Sequence, residues 1–383
     1  MIPRQETLLS RKLSPAPTIL EDLKPYSTIR NPFHQACSES KLPSIKSPIP
    51  HLSHYPSPGR IASRKSTRGG STQPRQQDPT PVRSQAQTQP LTRLNSVKTV
   101  AYKSKVGSVY SKPKLHNQDS FIIKPSLQGI RGHYLFAVLD GHGAYGHDVS
   151  SFIRENFPII IEDSLQREMS SLSIEKSLYQ SISKLSKDLV ESGIEISFSG
   201  STLISVFIFG ALCVCANIGD SRAVLGRLEK SWEAVALSQD HNTLRLDERT
   251  RILNSNGRIA QSRNENGVFQ GPQRVWLMDE DYPGIAMTRS VGDKISKVVG
   301  VSNDPEVVIR RLAPEDKFII LASDGVWEKL SNEEAIKVVS KYWNENRVED
   351  AALALVSEAV KKWNKTEYVD DITVVIVFLN IQS

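Results

Sequence analysis

The chain has 383 residues, 39% of them hydrophobic, and a net charge of +6, enough for one large domain with a tail or for two ordinary domains. Three cysteines, Cys37, Cys213 and Cys215, exclude a disulfide framework and provide no soft metal cage, which points to a reducing intracellular compartment, cytoplasm and/or nucleus. No apolar run has the length of a transmembrane helix, the start lacks a signal-peptide core, and Met1-Ile2 lacks the second-position glycine of a myristoylation site.

Charge and proline are unevenly spread. Between Met1 and Lys98 lie 14 of the 21 prolines, with 15 Lys/Arg against 5 Asp/Glu, so the rest of the chain is mildly acidic. Steps such as Ser14-Pro15, Ser47-Pro48, Ser57-Pro58 and Thr80-Pro81 break helices and strands alike. The stretch from Thr72 to Thr92 has almost nothing apolar to bury, so the entropy of ordering it is not offset. Residues 1–96 are therefore predicted to be a disordered basic tail, and 97–383 to be the globular unit.

From Val97 onward short apolar runs and amphipathic stretches follow. Tyr134–Leu139 predicts a buried strand broken at Asp140-Gly141. Ile174, Leu178, Ile182, Leu185 and Leu189 share one face of a predicted helix over Ser173–Glu191. Thr202–Phe209 and Ala211–Ala216 suggest a hairpin through Gly210, with Ala223–Leu228 as a third strand. On such a strand Cys213 and Cys215 point the same way into a core. A short helix is predicted over Leu246–Ser255 and a buried strand over Lys317–Ala322. Two helices, Ser331–Trp343 and Val348–Trp363, precede a last strand at Ile372–Leu379. Hairpins without strict β-α-β alternation favour an α+β architecture with antiparallel sheets.

The aspartates carry the functional signal. Asp140, Asp220 and Asp324 each follow a buried strand, and Asp370-Asp371 precede one. Any one of them could merely cap a turn. Several such carboxylates at one sheet end would repel each other unless cations held them, and oxygen donors without cysteine or paired histidine suit Mg2+ or Mn2+. Gly141 lets backbone approach a metal closely, and His142 beside the ligands can protonate a leaving alkoxide. No Ser-His-Asp or Cys-x5-Arg nucleophile is evident, which argues for direct attack by water activated between two metals.

The series Asn117-Gln118-Asp119, Asp140-Gly141-His142-Gly143, Ser199-Gly200-Ser201-Thr202, Gly219-Asp220-Ser221-Arg222, Asp240-His241, Thr288-Arg289-Ser290-Val291-Gly292-Asp293, Ser323-Asp324-Gly325-Val326-Trp327 and Asp370-Asp371-Ile372-Thr373 resembles, in order, the motifs of the metal-dependent (type 2C) serine/threonine protein phosphatases. The resemblance implies an αββα four-layer sandwich of two antiparallel sheets, acting on phosphoprotein substrates. It implies two divalent cations bridged by Asp140, one also held by Asp324 and Asp370, the other by the Gly141 carbonyl and the first-motif position. That position is commonly Glu and is Gln118 here, so Asp119 takes more of its work. Asp220 and Glu328 match a third, weaker metal position, where Glu replaces the usual Asp. Lys114 falls where the family places a cation for the substrate phosphate. Asp240 and Asp293 are expected to be structural, and Arg274 and Trp276 to pack a flap over Gly267–Gly284.

Two other classes fit parts of the sequence. A catalytically dead relative acting as a phosphoprotein-binding module would have lost ligands that Asp140, Asp324 and Asp370 still supply. A nucleic-acid binder would use the tail, but its charges are spread thinly between prolines and only Tyr26, Phe33 and Tyr55 could stack, so no specific nucleic-acid partner is expected. A monomer is the expected state.

Overall fold

A computed structural model describes residues 95–165, 170–264, 266–363 and 367–382. The predicted tail lies outside the described residues except for Asn95 and Ser96. Those two are built into the domain: Asn95 accepts a hydrogen bond from the Tyr134 hydroxyl, and the buried Ser96 takes the Asn380 N–H on its carbonyl at 2.8 Å.

The main elements, in chain order, are β1 (Val97–Lys105), β2 (Asp119–Lys124), β3 (His133–His142), α1 (Gly146–Ser164), α2 (Ser171–Glu191), β4 (Leu203–Phe209), β5 (Leu212–Ile218), β6 (Arg222–Leu228), β7 (Trp232–Ala236), α3 (Leu246–Asn254), β8 (Gly257–Arg263), β9 (Phe269–Leu277), β10 (Pro283–Ile285), β11 (Glu306–Arg311), β12 (Asp316–Ala322), α4 (Asn332–Trp343), α5 (Val348–Trp363) and β13 (Ile372–Leu379). One antiparallel sheet runs β1-β13-β12-β6-β7; the other runs β2-β3-β4-β5-β11. Two short strands, Gly200–Ser201 and Val291–Gly292, extend the second sheet from the end of β3.

Strand alternation explains why four layers form. On β4, Ile204, Val206 and Ile208 face the other sheet, where they meet Leu225, Ile319, Leu321, Val375 and Val377. Leu203 and Phe207 point the opposite way, against Ile153 and Phe157 of α1 and Leu178 and Leu185 of α2. The first sheet does the same outward, with Phe318, Ile320 and Ile376 under Ala351, Leu355 and Ala359 of α5. Both faces of each sheet are therefore apolar, which is why the central strands read as continuous hydrophobic runs. The expected αββα sandwich is the observed architecture. Cys213 and Cys215 face the inter-sheet core, and burial pushes the Cys213 thiol up to about 12, so it is not a nucleophile at neutral pH.

Capping sets two helix starts. Ser170 begins α2 and Ser331 begins α4, each with reciprocal side-chain bonds to the third helical residue. Helix α1 is absent from the sequence reading. Pro158 lies inside it and interrupts the helical pattern that periodicity relies on. The flap forms a three-stranded sheet, β8-β9-β10. There Arg274 donates to the Gly284 carbonyl at 2.7 Å and the Trp276 indole to the Ala260 carbonyl at 2.9 Å, so both pack the flap as expected.

Candidate active site

Strands of both sheets end along one edge of the sandwich, and the aspartates singled out above sit there. Asp140, near the end of β3, lies directly across the ladder from Asp119, the first residue of β2. Asp220 precedes β6, Asp324 opens a single helical turn after β12, and Asp370 and Asp371 precede β13. A Cβ on Gly141 would fall 2.2 Å from the Gly146 carbonyl oxygen, so only glycine permits this approach of strand to helix.

The carboxyls act on one another. Burial, then the charges of Asp324, Asp119 and Asp370, hold Asp140 well above the ordinary carboxylate range. Asp324 is raised by burial and by Asp370 and Asp220, and it lies within hydrogen-bonding reach of Asp140. Burial pushes Asp119 up to about 7, with Asp371 and Asp370 adding to it against hydrogen bonds from Thr373 and Ser323. Asp220 is pushed up to about 6, by burial and then Asp240. Two buried oxygens, Asp119 Oδ1 and Asp220 Oδ1, have no hydrogen-bond partner among the described residues.

This donor set fits divalent cations. Burying unpaired acids is costly, and a hard cation bound by oxygen removes both the repulsion and the orphaned oxygens. No three of the described His, Cys, Asp and Glu side chains already close around one point.

Each remaining candidate has a definite place. Gln118 donates its amide to the Gly143 carbonyl at 2.7 Å. Its backbone carbonyl receives the Gly141 N–H, and its own N–H reaches Asp371 at 3.0 Å. Glu328 is exposed and lies 3.3 Å from Lys329, yet its charge contributes to the raised pKa of both Asp220 and Asp324. Lys114 donates to Asp370 at 2.6 Å and sits over the Tyr368 ring. Burial opposes its charge, but Asp370 more than offsets this and holds its pKa above the ordinary lysine value.

His142 meets a residue assigned no chemical role from the sequence. Its Nε2 lies 2.7 Å from Oδ2 of Asp293. Burial opposes the imidazolium, yet Asp293 outweighs it and raises the pKa of His142. The sequence reading makes Asp293 structural; its side chain meets the imidazole. The Thr-Arg-Ser-Val-Gly-Asp motif was the only signal, and a contact across 151 residues cannot be read from spacing.

Other motif residues shape the site without entering it. Thr202 Oγ1 accepts from the Asp140 N–H at 2.9 Å and contacts Ser221 at 2.7 Å. Asp240 takes a two-pronged bond from Arg222, at 2.8 and 2.7 Å, and so is structural as expected. Asp371 accepts from the Gly107 N–H at 2.6 Å as well as from Gln118, fixing the loop that carries the first motif.

Known proteins resemble this chain. The sequence profile described as protein phosphatase 2C matches residues 113–367. The Arabidopsis thaliana protein named "Probable protein phosphatase 2C 72" is 36% identical over 291 residues, covering 72% of this chain and 86% of its own length. A second from the same plant, "Probable protein phosphatase 2C 35", is 33% identical over 282 residues, covering 69% and 79%. Among solved structures, a serine-threonine phosphatase 2C from Toxoplasma gondii aligns with TM-score 0.64 at 20% identity, over 74% of this chain and 97% of its own, a likeness of fold. Profile, relatives and carboxylate edge agree: the chain belongs to the protein phosphatase 2C family and is a protein serine/threonine phosphatase.

Proposed function

We propose that the protein hydrolyses phosphoserine and phosphothreonine esters on proteins by direct attack of water, within a catalytic unit spanning 97–383. In this reading Asp140, Asp324, Asp370, Gly141, Gln118 and Asp119 hold two Mg2+ or Mn2+ ions, and Asp220 with Glu328 serves a third position. Bound there, divalent cations would lower the pKa of water and neutralise phosphate charge. In the same reading Lys114, paired with Asp370 at 2.6 Å, would meet a phosphate oxygen when Asp370 serves a cation. His142 gives a proton to the departing alkoxide. The observation that carries the proposal is the cluster of buried, mutually repelling carboxyls with His142 beside it.

The test is phosphopeptide turnover with Mn2+ and after exhaustive chelation. Turnover that stops on chelation and returns with Mn2+ supports the reading, whereas turnover surviving chelation sinks the metal assignment. For His142→Gln, phosphothreonine-peptide turnover should fall about 10²–10⁴-fold, a general acid's usual contribution, while para-nitrophenyl phosphate, whose leaving group hardly needs a proton, is spared. Equal loss on both substrates with weaker Mn2+ binding would assign His142 to support of the metal site instead. The buried thiols of Cys213 and Cys215 support a reducing compartment, cytoplasm or nucleus.

A further inference from the structure

We propose that Asp293 is a positioning residue for the phosphatase reaction: it fixes the His142 ring through Nε2, leaving Nδ1 as the atom that serves the departing oxygen. The proposal rests on the reading of His142 as general acid.

The contact is built by the fold from three separate segments. His142 is the register partner of Gly200, and Gly200 is the register partner of Gly292, so three short strand ends bring His142 close to Asp293, the residue after Gly292. Gly200 in the middle must be glycine. A Cβ there would lie 2.1 Å from Asp293 Oδ2, the same oxygen that meets the imidazole. Asp293 itself is held in the left-handed backbone region, with φ of 49°, and its N–H donates to the Ser199 carbonyl at 2.9 Å. Such a conformation is costly for a non-glycine residue and persists only where the surroundings enforce it. The side chain is 3% exposed, so its carboxylate cannot swing out to water.

The surroundings keep that carboxylate charged. Burial works against the charge, but His142, the Ser290 hydroxyl and Lys297 hold Asp293 below the ordinary carboxylate range. The Lys297 ammonium is anchored at 2.6 Å on the Ser290 carbonyl and forms no ion pair with a described carboxylate within 4.0 Å. Asp293 thus has the imidazole within hydrogen-bond distance and feels the charge of Lys297 as well.

The remaining nitrogen completes the argument. Nδ1 of His142 is buried and has no hydrogen-bond partner among the described residues. A buried ring nitrogen without a partner is expensive, and a substrate oxygen entering beside the carboxylate edge would satisfy it. In the reaction the Nδ1–H bond breaks as the phosphorus–oxygen bond to the leaving group breaks, and the proton goes to that oxygen. The electron pair stays on the ring, which remains bonded to Asp293 through Nε2–H, and the lost proton is restored from water. The arrangement follows the general logic of an acid–base histidine oriented by a carboxylate.

The experiment compares Asp293→Asn, His142→Gln and the double variant, with Mn2+, on a phosphothreonine peptide and on para-nitrophenyl phosphate. It adds long-range proton–nitrogen spectra of the His142 ring in the metal-free protein. Asp293→Asn should lower kcat on the peptide about 10- to 100-fold, part of a general acid's usual contribution, with KM and para-nitrophenyl phosphate turnover nearly unchanged. The double variant should be no slower than His142→Gln, because both remove one function. The wild-type spectrum should show a proton on Nε2. A bare Nε2 overturns the proposal without any variant, as does an equal loss on both substrates in Asp293→Asn or a double variant slower by the product of the two losses. Peptide-selective loss in His142→Gln with none in Asp293→Asn overturns the positioning role alone. Equal loss on both substrates in His142→Gln overturns the general-acid reading, and with it this one.

Discussion

Two buried acidic regions of this domain follow opposite rules. Glu248 on α3 is fully buried, yet Arg251 meets both of its oxygens at 2.7 and 2.6 Å, Arg289 adds contacts at 3.0 and 2.7 Å, and the Thr288 hydroxyl donates at 2.6 Å. Burial opposes its charge, but these donors hold it below the ordinary glutamate range. At the sandwich edge, Asp119, Asp140, Asp220 and Asp324 are buried beside one another and raised. The first region spends its charge on holding α3 against the loop at Thr288–Arg289. In the proposed reading the second leaves its charge for cations. A buried acid with all its donors in place is structural, and one left short of them marks a site for a cation.

The sharpest way to break the comparison is Asp140→Asn. Turnover should fall by three orders of magnitude or more, about 4 kcal/mol or more of transition-state stabilisation, while the melting temperature of the metal-free protein stays level or rises because a repelling carboxyl is gone. A matching collapse of near-ultraviolet circular dichroism would mean that Asp140 is structural after all.

Glu248→Gln should do the reverse. Two partly buried guanidinium groups would lose their counter-charge, and breaking such a pair costs about 3–5 kcal/mol. For a domain of this size that lowers the melting temperature by about 6 °C or more, while kcat of the protein that remains folded is retained. Loss of kcat without loss of stability would remove the distinction between the two regions.

Titration sharpens the contrast further. A carboxyl whose pKa is raised on folding binds its proton more tightly when folded, so its contribution is complete below the ordinary value and lost as pH rises through the folded one. With Asp119 at about 7 and Asp220 at about 6, against an ordinary value of 3.8, the metal-free protein should lose stability from about pH 4 to 7. Saturating Mn2+ should flatten that slope. Glu248, being lowered, contributes above its ordinary 4.5 and loses its contribution on acidification below it. Melting curves that rise steadily from pH 4 to 7 without metal would contradict the first half.

The smallest effect is expected from the N-terminus. Residues 1–94 carry the proline-rich, basic composition that cannot bury a core, so their removal should shift the melting temperature by about 1 °C or less and leave peptide kcat unchanged. Cutting two residues further should cost more, because Ser96 and Asn95 bond the sheet and Tyr134. Equal melting temperatures for the two truncations would refute that boundary.

The sequence by itself determined the central strands β3, β4, β5, β6, β12 and β13, the two C-terminal helices and the aspartates beside those strands, while β1, β2, β7 and β11 at the sheet margins were not legible in it. Burial imposes an unbroken apolar run on a strand covered on both faces, and a carboxylate directly after such a run is conspicuous: Leu-Phe-Ala-Val-Leu before Asp140, Phe-Ile-Ile-Leu-Ala-Ser before Asp324. It also carried the motif order from which the family follows. Tertiary structure alone decided what each acid meets. Asp240, Asp293 and Glu248 read alike as motif or helix carboxylates, yet one pairs with Arg222, one with His142 and one with two arginines. Those partners come from other strands and loops, and hydrogen bonds form between atoms that the fold brings within 3 Å, a condition no local periodicity encodes.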